Sequence, residues 1–147
     1  MTELTAESIA SELTAGCGEY TAQLKLVTDA EWERKPAPGG EGEDAWSARQ
    51  VAEHVQGACG FFGNAAAKVA GFDGPGRTYS ELPTVAAAID GLPAAFGALQ
   101  AVVTKLSAEN LAAEVDAPWG KTTLGGLLGG SAAHFKDHAN QLKALRG

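Results

Sequence analysis

Apolar side chains recur every three or four residues along almost the whole chain, which predicts helices rather than strands. Ile9, Leu13, Cys17, Tyr20, Leu24 and Val27 form one such stripe. They predict a first helix from about Ala6 to Val27, with Thr5 as its N-cap. From Thr28 to Ala45 the pattern lapses, and Pro36, Pro38, Gly39, Gly40 and Gly42 mark a loop. A second helix starts at Ser47. Ser47 and Gln50 have the spacing of a capping box, in which each residue's side chain satisfies the other's free backbone donor. Its stripe is Val51, Val55, Ala58, Phe62, Ala65 and Val69, and the Gly- and Pro-rich run from Gly71 to Gly76 ends it.

A third helix is predicted after Ser80, with Pro83 in its first turn, where a missing N–H costs little. Val85, Ile89, Leu92, Phe96, Leu99 and Val103 give it the most regular stripe of the four. Pro93 lies inside that pattern, removes one backbone hydrogen bond and predicts a kink after Gly91. The stretch from Ser107 to Thr122 reads as a long connection with a turn, or a small hairpin, at Asp116-Ala117-Pro118-Trp119-Gly120. A fourth helix is predicted from about Thr123 to Leu145, on Leu124, Leu128, Ser131, Phe135, His138 and Leu142. Four amphipathic helices make an all-α, four-helix bundle. Residues 1–147 are expected to form one domain, and no segment alternates strongly enough to predict a sheet.

Composition adds boundaries to this picture. Of 147 residues, 45% are hydrophobic and 20% charged, the balance of a globular domain with a real core. The net charge of −7 argues against a nucleic-acid partner, because an acidic chain gains nothing from a phosphate backbone. No basic run points to a membrane surface, and no apolar stretch is read as a transmembrane segment. The polar N-terminus lacks the form of a signal peptide. Cys17 and Cys59 are expected to be free thiols with structural roles, and the chain is placed in the cytoplasm.

Chemistry enters with the three histidines, the only ones in the chain. His134 and His138 are four apart on the fourth helix, one turn above the other on one face. His138 falls on the apolar stripe and His134 at its edge. His54 lies at the edge of the second helix's stripe. If those helices are neighbours, all three point to one interior region. A buried trio without a ligand would need three sets of hydrogen-bond partners, so a shared metal ion is the better account. The segment His134-Phe135-Lys136-Asp137-His138 is no His-Glu-x-x-His protease motif, because it lacks the glutamate that would act as general base.

The same residues resemble the DinB superfamily, also called YfiT-like metal-dependent hydrolases. Trp46-Ser47-Ala48-Arg49-Gln50-Val51-Ala52-Glu53-His54 is similar to that family's Trp-Ser-(six residues)-His motif at the start of the second helix. Pro118-Trp119-Gly120, followed by His134, His138 and Gln141, is similar to its Pro-aromatic-Gly turn and histidine pair. The resemblance implies an up-down-down-up bundle, often a homodimer. His54, His134 and His138 become ligands of a divalent zinc, nickel or iron ion. It also implies enzymes that use low-molecular-weight thiols, such as bacillithiol transferases and mycothiol-dependent maleylpyruvate isomerase. An Ala- and Gly-rich composition fits a high-GC organism and therefore mycothiol.

Three neutral imidazoles leave a metal with its charge and an open position, the mark of a catalytic site. Water there could serve a hydrolase, and a thiol there could serve a transferase. Glu53 and Asp137 sit beside ligands in sequence but point about a quarter-turn away, so no strong general base is evident. Gln141, one turn after His138, is placed to hydrogen-bond a ligand. Trp46, Phe61, Phe62 and Trp119 are candidates for the pocket mouth. The expected function is thiol S-transfer between a small thiol and an electrophile. The alternatives are a metal-dependent hydrolase and a non-catalytic stress-response protein that binds metal or ligand.

Overall fold

A computed structural model of the chain describes residues 5–34 and 45–146. The Pro- and Gly-rich part of the first predicted loop, 35–44, lies outside the described residues. Four long helices carry the architecture: α1 (Ala6–Leu24), α2 (Ala48–Ala70), α3 (Val85–Val103) and α5 (Leu124–Arg146). Between α3 and α5 come a short helix, α4 (Ala108–Ala112), and two strands, β1 (Glu114–Ala117) and β2 (Gly120–Thr123).

The helix starts follow from local hydrogen bonding. Thr5 caps α1 and Ser47 caps α2, each in a reciprocal capping box, with Ser8 and Gln50 as the respective partners. At the far end of α2, Gly71 takes the left-handed conformation (φ 81°) that stops a helix and that glycine adopts without strain. The start of α3 differs from expectation. Thr84, not Ser80, is the N-cap, its side chain accepting from the Ala87 N–H. Pro83 therefore precedes the cap instead of occupying the first turn. The α3 helix is continuous across Pro93, and the expected bend there does not end it.

The small hairpin allowed for at Asp116–Gly120 is present, as a two-stranded ribbon in an otherwise helical chain. β1 and β2 pair antiparallel, with Ala117 opposite Gly120 and Pro118-Trp119 as the two-residue loop between them. Four-residue strands are too short for alternation to register in the sequence. Turn chemistry decides the hairpin, and the strands are held by packing on α5.

The α1 helix packs mainly on α5 and α2 mainly on α3. Contacts of α2 with α5 and of α1 with α3 close the bundle. Gln56 faces Ala88 and Gly91 while Gly63 faces Leu99, so contacts advance in the same sense along α2 and α3. The α1 stripe is buried throughout, and Tyr20, Leu99, Leu124, Leu128 and Leu142 lie in the fully enclosed centre. On α2 the inward face is rotated from the expected stripe. Ala52, Gln56, Cys59 and Ala66 are buried, whereas Ala58, Ala65 and Val69 are only partly so.

That rotation has a cause. Gly57, Gly60 and Gly63 leave a shallow strip along α2 on which the extended segment 75–79 lies. A side chain at Gly60 would meet the Thr78 hydroxyl and the Gly76 carbonyl, and at Gly63 it would meet Pro75. Thr78 Oγ1 accepts from the Gly60 N–H at 2.8 Å and donates to the Gln56 carbonyl. Trp32 anchors the other side. Its indole N–H donates to the Leu82 carbonyl at 2.9 Å, and its own carbonyl accepts from Arg49 N–H, one of the free donors at the start of α2.

One membrane expectation also changes. By length and composition α3 is apolar enough to cross a bilayer, with a mean hydropathy of 1.5 over its window. Here Leu92, Leu99 and Val103 are buried in the bundle instead.

Candidate metal centre and cavity

The Ser47 cap fixes the start of α2 and so places His54 two turns into the helix. The α5 helix supplies His134 and His138 one turn apart. Because α2 and α5 are neighbours, the three rings meet. His54 Nε2 lies 2.8 Å from His134 Nε2, and His138 Nε2 lies 3.1 Å from the same atom. Ring centroids are 4.9 Å apart for His54 and His134 and 4.4 Å for His134 and His138.

The donor set fits a metal ion on two grounds. Nitrogens bound tetrahedrally at about 2.05 Å stand roughly 3.3 Å apart, and a facial octahedral set roughly 3.0 Å. The two separations that involve His134, 2.8 and 3.1 Å, lie close to the octahedral value, and all three ligand atoms lie within 4.8 Å of one another. The second ground is proton counting. His138 Nδ1 donates to Gln141 Oε1 at 2.7 Å, which leaves its Nε2 as a lone pair aimed at the cluster. A proton on His134 Nε2 can then serve His138 or His54, but not both. One cation at the convergence point satisfies three lone pairs at once. Burial, and then the neighbouring His138 and His54, push the His134 pKa down to about 3, so its ring is neutral, the form that ligates. The three side chains could therefore hold a metal ion.

His54 and His134 open onto a cavity of about 910 Å³, while His138 is buried behind them. The Trp46 ring sits 5.0 Å from that of His54, and Phe62 edges His134 at 6.1 Å. Trp119 and Phe61 stand at the mouth, 64% and 51% exposed. Tyr79, carried in by the segment laid on the α2 glycines, completes the wall. The sequence singled out Trp46, Phe61, Phe62 and Trp119 and missed Tyr79, whose position depends on Gly57, Gly60 and Gly63.

Glu53 also lines this cavity, and one of its two carboxylate oxygens is taken up by structural bonds. Its Oε2 accepts from the Leu82 N–H at 2.8 Å and from Arg49 Nε at 3.1 Å. It ties the segment before α3 to α2. Among the described residues it is the only carboxylate in the lining, and no lysine or arginine is there. Asp137 does not reach the lining either. Both cysteines are buried away from the cavity, and burial pushes the Cys59 thiol up to about 12, which keeps it from acting as a nucleophile.

The family model of the DinB superfamily matches residues 12–142. The chain belongs to the DinB superfamily. No curated protein matches this DinB-superfamily chain by sequence. Among solved structures, it is similar to the colibactin self-resistance protein ClbS in complex with a dsDNA. The two share 12% identity with a TM-score of 0.70, over 99% of this chain and 98% of that one. At that identity the likeness shows the fold alone. It nonetheless overturns the exclusion of nucleic acid drawn from the net charge, since a protein of this fold is seen with double-stranded DNA. Net charge is a sum over the whole surface. Eleven lysines and arginines remain in this chain, and the charge on one face decides what that face meets.

Proposed function

We propose that the protein is a metal-dependent S-transferase that joins a low-molecular-weight thiol, such as mycothiol, to an electrophile. The observation that carries this reading is the engagement of Glu53. The histidine cluster opens onto a cavity large enough for two small substrates. The one carboxylate on its described wall is held through its Oε2 by Leu82 N–H and Arg49. Water on a metal also loses its proton near neutral pH, but its attack is helped by a positioned base, and the wall's one carboxylate is held in this way. A thiol needs less help, since its proton leaves near neutral pH once a cation is close.

A divalent ion of zinc, nickel or iron, held by His54, His134 and His138, would supply positive charge that favours thiolate over thiol. The chain's own residues do the rest. Gln141 fixes the tautomer and orientation of His138. Trp46 and Phe62 pack against His54 and His134 and limit their rotation. The aromatic walls exclude water from the electrophile.

The test is a panel of thiols and electrophiles on metal-loaded, untagged protein, beside His134→Ala. Thiol consumption that requires metal and is lost in the variant supports the reading. Turnover without thiol would make the protein a hydrolase. Binding without turnover would make it a non-catalytic member. Equal metal content in the two proteins would remove the site itself.

A further inference from the structure

The wall of the cavity is unlike its inner end. Beyond the histidines, the lining is mostly aromatic: Trp46, Phe61, Phe62, Tyr79 and Trp119. Two of these, Trp119 and Phe61, are more than half exposed at the mouth. Large rings left in water around an open cavity are unfavourable unless something covers them. Trp119 is also deliberately placed. It occupies the two-residue loop of the hairpin, and its Cη2 comes within 3.7 Å of the point where a Cβ on Gly130 would stand. Gly130 is one turn before His134 on the same face of α5. The indole therefore lies against this face of α5 and lines the same cavity as His54 and His134.

Charge on this wall is equally one-sided. No described lining residue is cationic, and the one ionised group, Glu53, is anionic. Arg49 is held by Glu33 and Glu53. Arg77 lies over the Tyr79 ring, 5.5 Å from its centroid, outside the lining. A carboxylate or phosphate placed among these rings would lose its water and meet no cationic side chain of the described lining. A planar uncharged group would gain contact with the surrounding rings.

We infer that the aromatic end of the cavity binds a planar, uncharged, apolar portion of the substrate, with Trp119 and Phe61 as the residues that close on it. This rests on reading the histidine cluster as the reacting end of the same cavity. The electrophile is then an aromatic or conjugated molecule without a carboxylate on its far side. Trp119 selects it by face-to-face contact.

Isothermal titration of metal-free protein with 2-naphthol, 2-naphthoate and the saturated bicyclic alcohol 2-decalol tests this directly. The naphthol should bind saturably and at least tenfold more tightly than either of the other two. Trp119→Ala should weaken naphthol binding at least tenfold, and Phe61→Ala should weaken it severalfold. Both side chains are exposed, so neither change threatens folding. Naphthoate binding as tightly as naphthol would overturn the inference. So would naphthol affinity unchanged in both variants, or no naphthol binding up to its solubility. Because metal is absent, failure here leaves the histidine site standing. Conversely, equal metal content in wild type and His134→Ala would sink the site without touching the naphthol result.

Discussion

Replacing Glu53 separates a base from a strut. In the structure its Oε2 accepts a 2.8 Å bond from the Leu82 amide and a 3.1 Å bond from Arg49 Nε, and its side chain is 13% exposed. A hydrogen bond to a largely buried carboxylate is worth about 1.5–3 kcal/mol, and its removal leaves the Leu82 N–H without that acceptor. Glu53→Ala should therefore lose about that much stability. At roughly 3–4 °C per kcal/mol for a chain of this size, Tm should fall by roughly 5–10 °C. Glu53→Gln keeps an oxygen for Leu82 and loses the charge, so it should lose less than half as much. Differential scanning calorimetry reads both. Amide exchange at Leu82 should accelerate in the alanine variant and much less in the glutamine one. Turnover of metal-loaded Glu53→Gln should stay within about threefold of wild type. Loss of a general base costs about 10²–10⁴ in rate. A hundredfold fall in kcat for Glu53→Gln with Tm unchanged would refute the structural role, and with it the argument for thiol transfer.

Other expectations follow from the same geometry. Gln141→Leu removes the acceptor that orients His138 and should weaken metal binding about 10- to 100-fold, read by competition with a chromophoric chelator, while circular dichroism stays unchanged. Metal-free protein should lose stability as pH falls from about 6.5 towards 3. The unfolded His134 accepts a proton over that range and the folded one, with its pKa pushed down to about 3, does not. The slope is at most about 1.4 kcal/mol per pH unit for that proton, and urea titrations at pH 7 and 5 should find it reduced in His134→Phe. Gly60→Ala would set a Cβ 2.5 Å from Thr78 Oγ1 and 2.8 Å from the Gly76 carbonyl. It should cost about 1–3 kcal/mol and shift the urea midpoint down, and it should displace Tyr79 from the cavity wall. An unchanged midpoint would show that segment 75–79 is not packed as described.

What the sequence determined by itself was local. The capping boxes at Thr5 and Ser47 are made of residues three apart, so their spelling is enough to start two helices. The stripe from Ile9 to Leu24 is a helical period, and every one of its members is buried. The pairing of His134 with His138 is likewise set by one turn of one helix. Where two local signals competed, the sequence was ambiguous, as at Pro83, where the hydroxyl of Thr84 sets the start of α3 instead. Tertiary structure decided everything that required distant segments to meet. His54 is eighty residues from His134, and only the adjacency of α2 and α5 brings their nitrogens to 2.8 Å. The strip of glycines on α2 has no meaning until segment 75–79 lies on it and delivers Tyr79. Glu53 reads as a residue turned away from the ligands until the Leu82 amide, twenty-nine residues on, is seen to bond its Oε2. Net charge misled for the same reason, since a sum over the chain carries no record of which face holds which residue. Helical spacing and capping act over one turn and are written in adjacent letters. A site is a meeting of surfaces, and the chain specifies it only by folding.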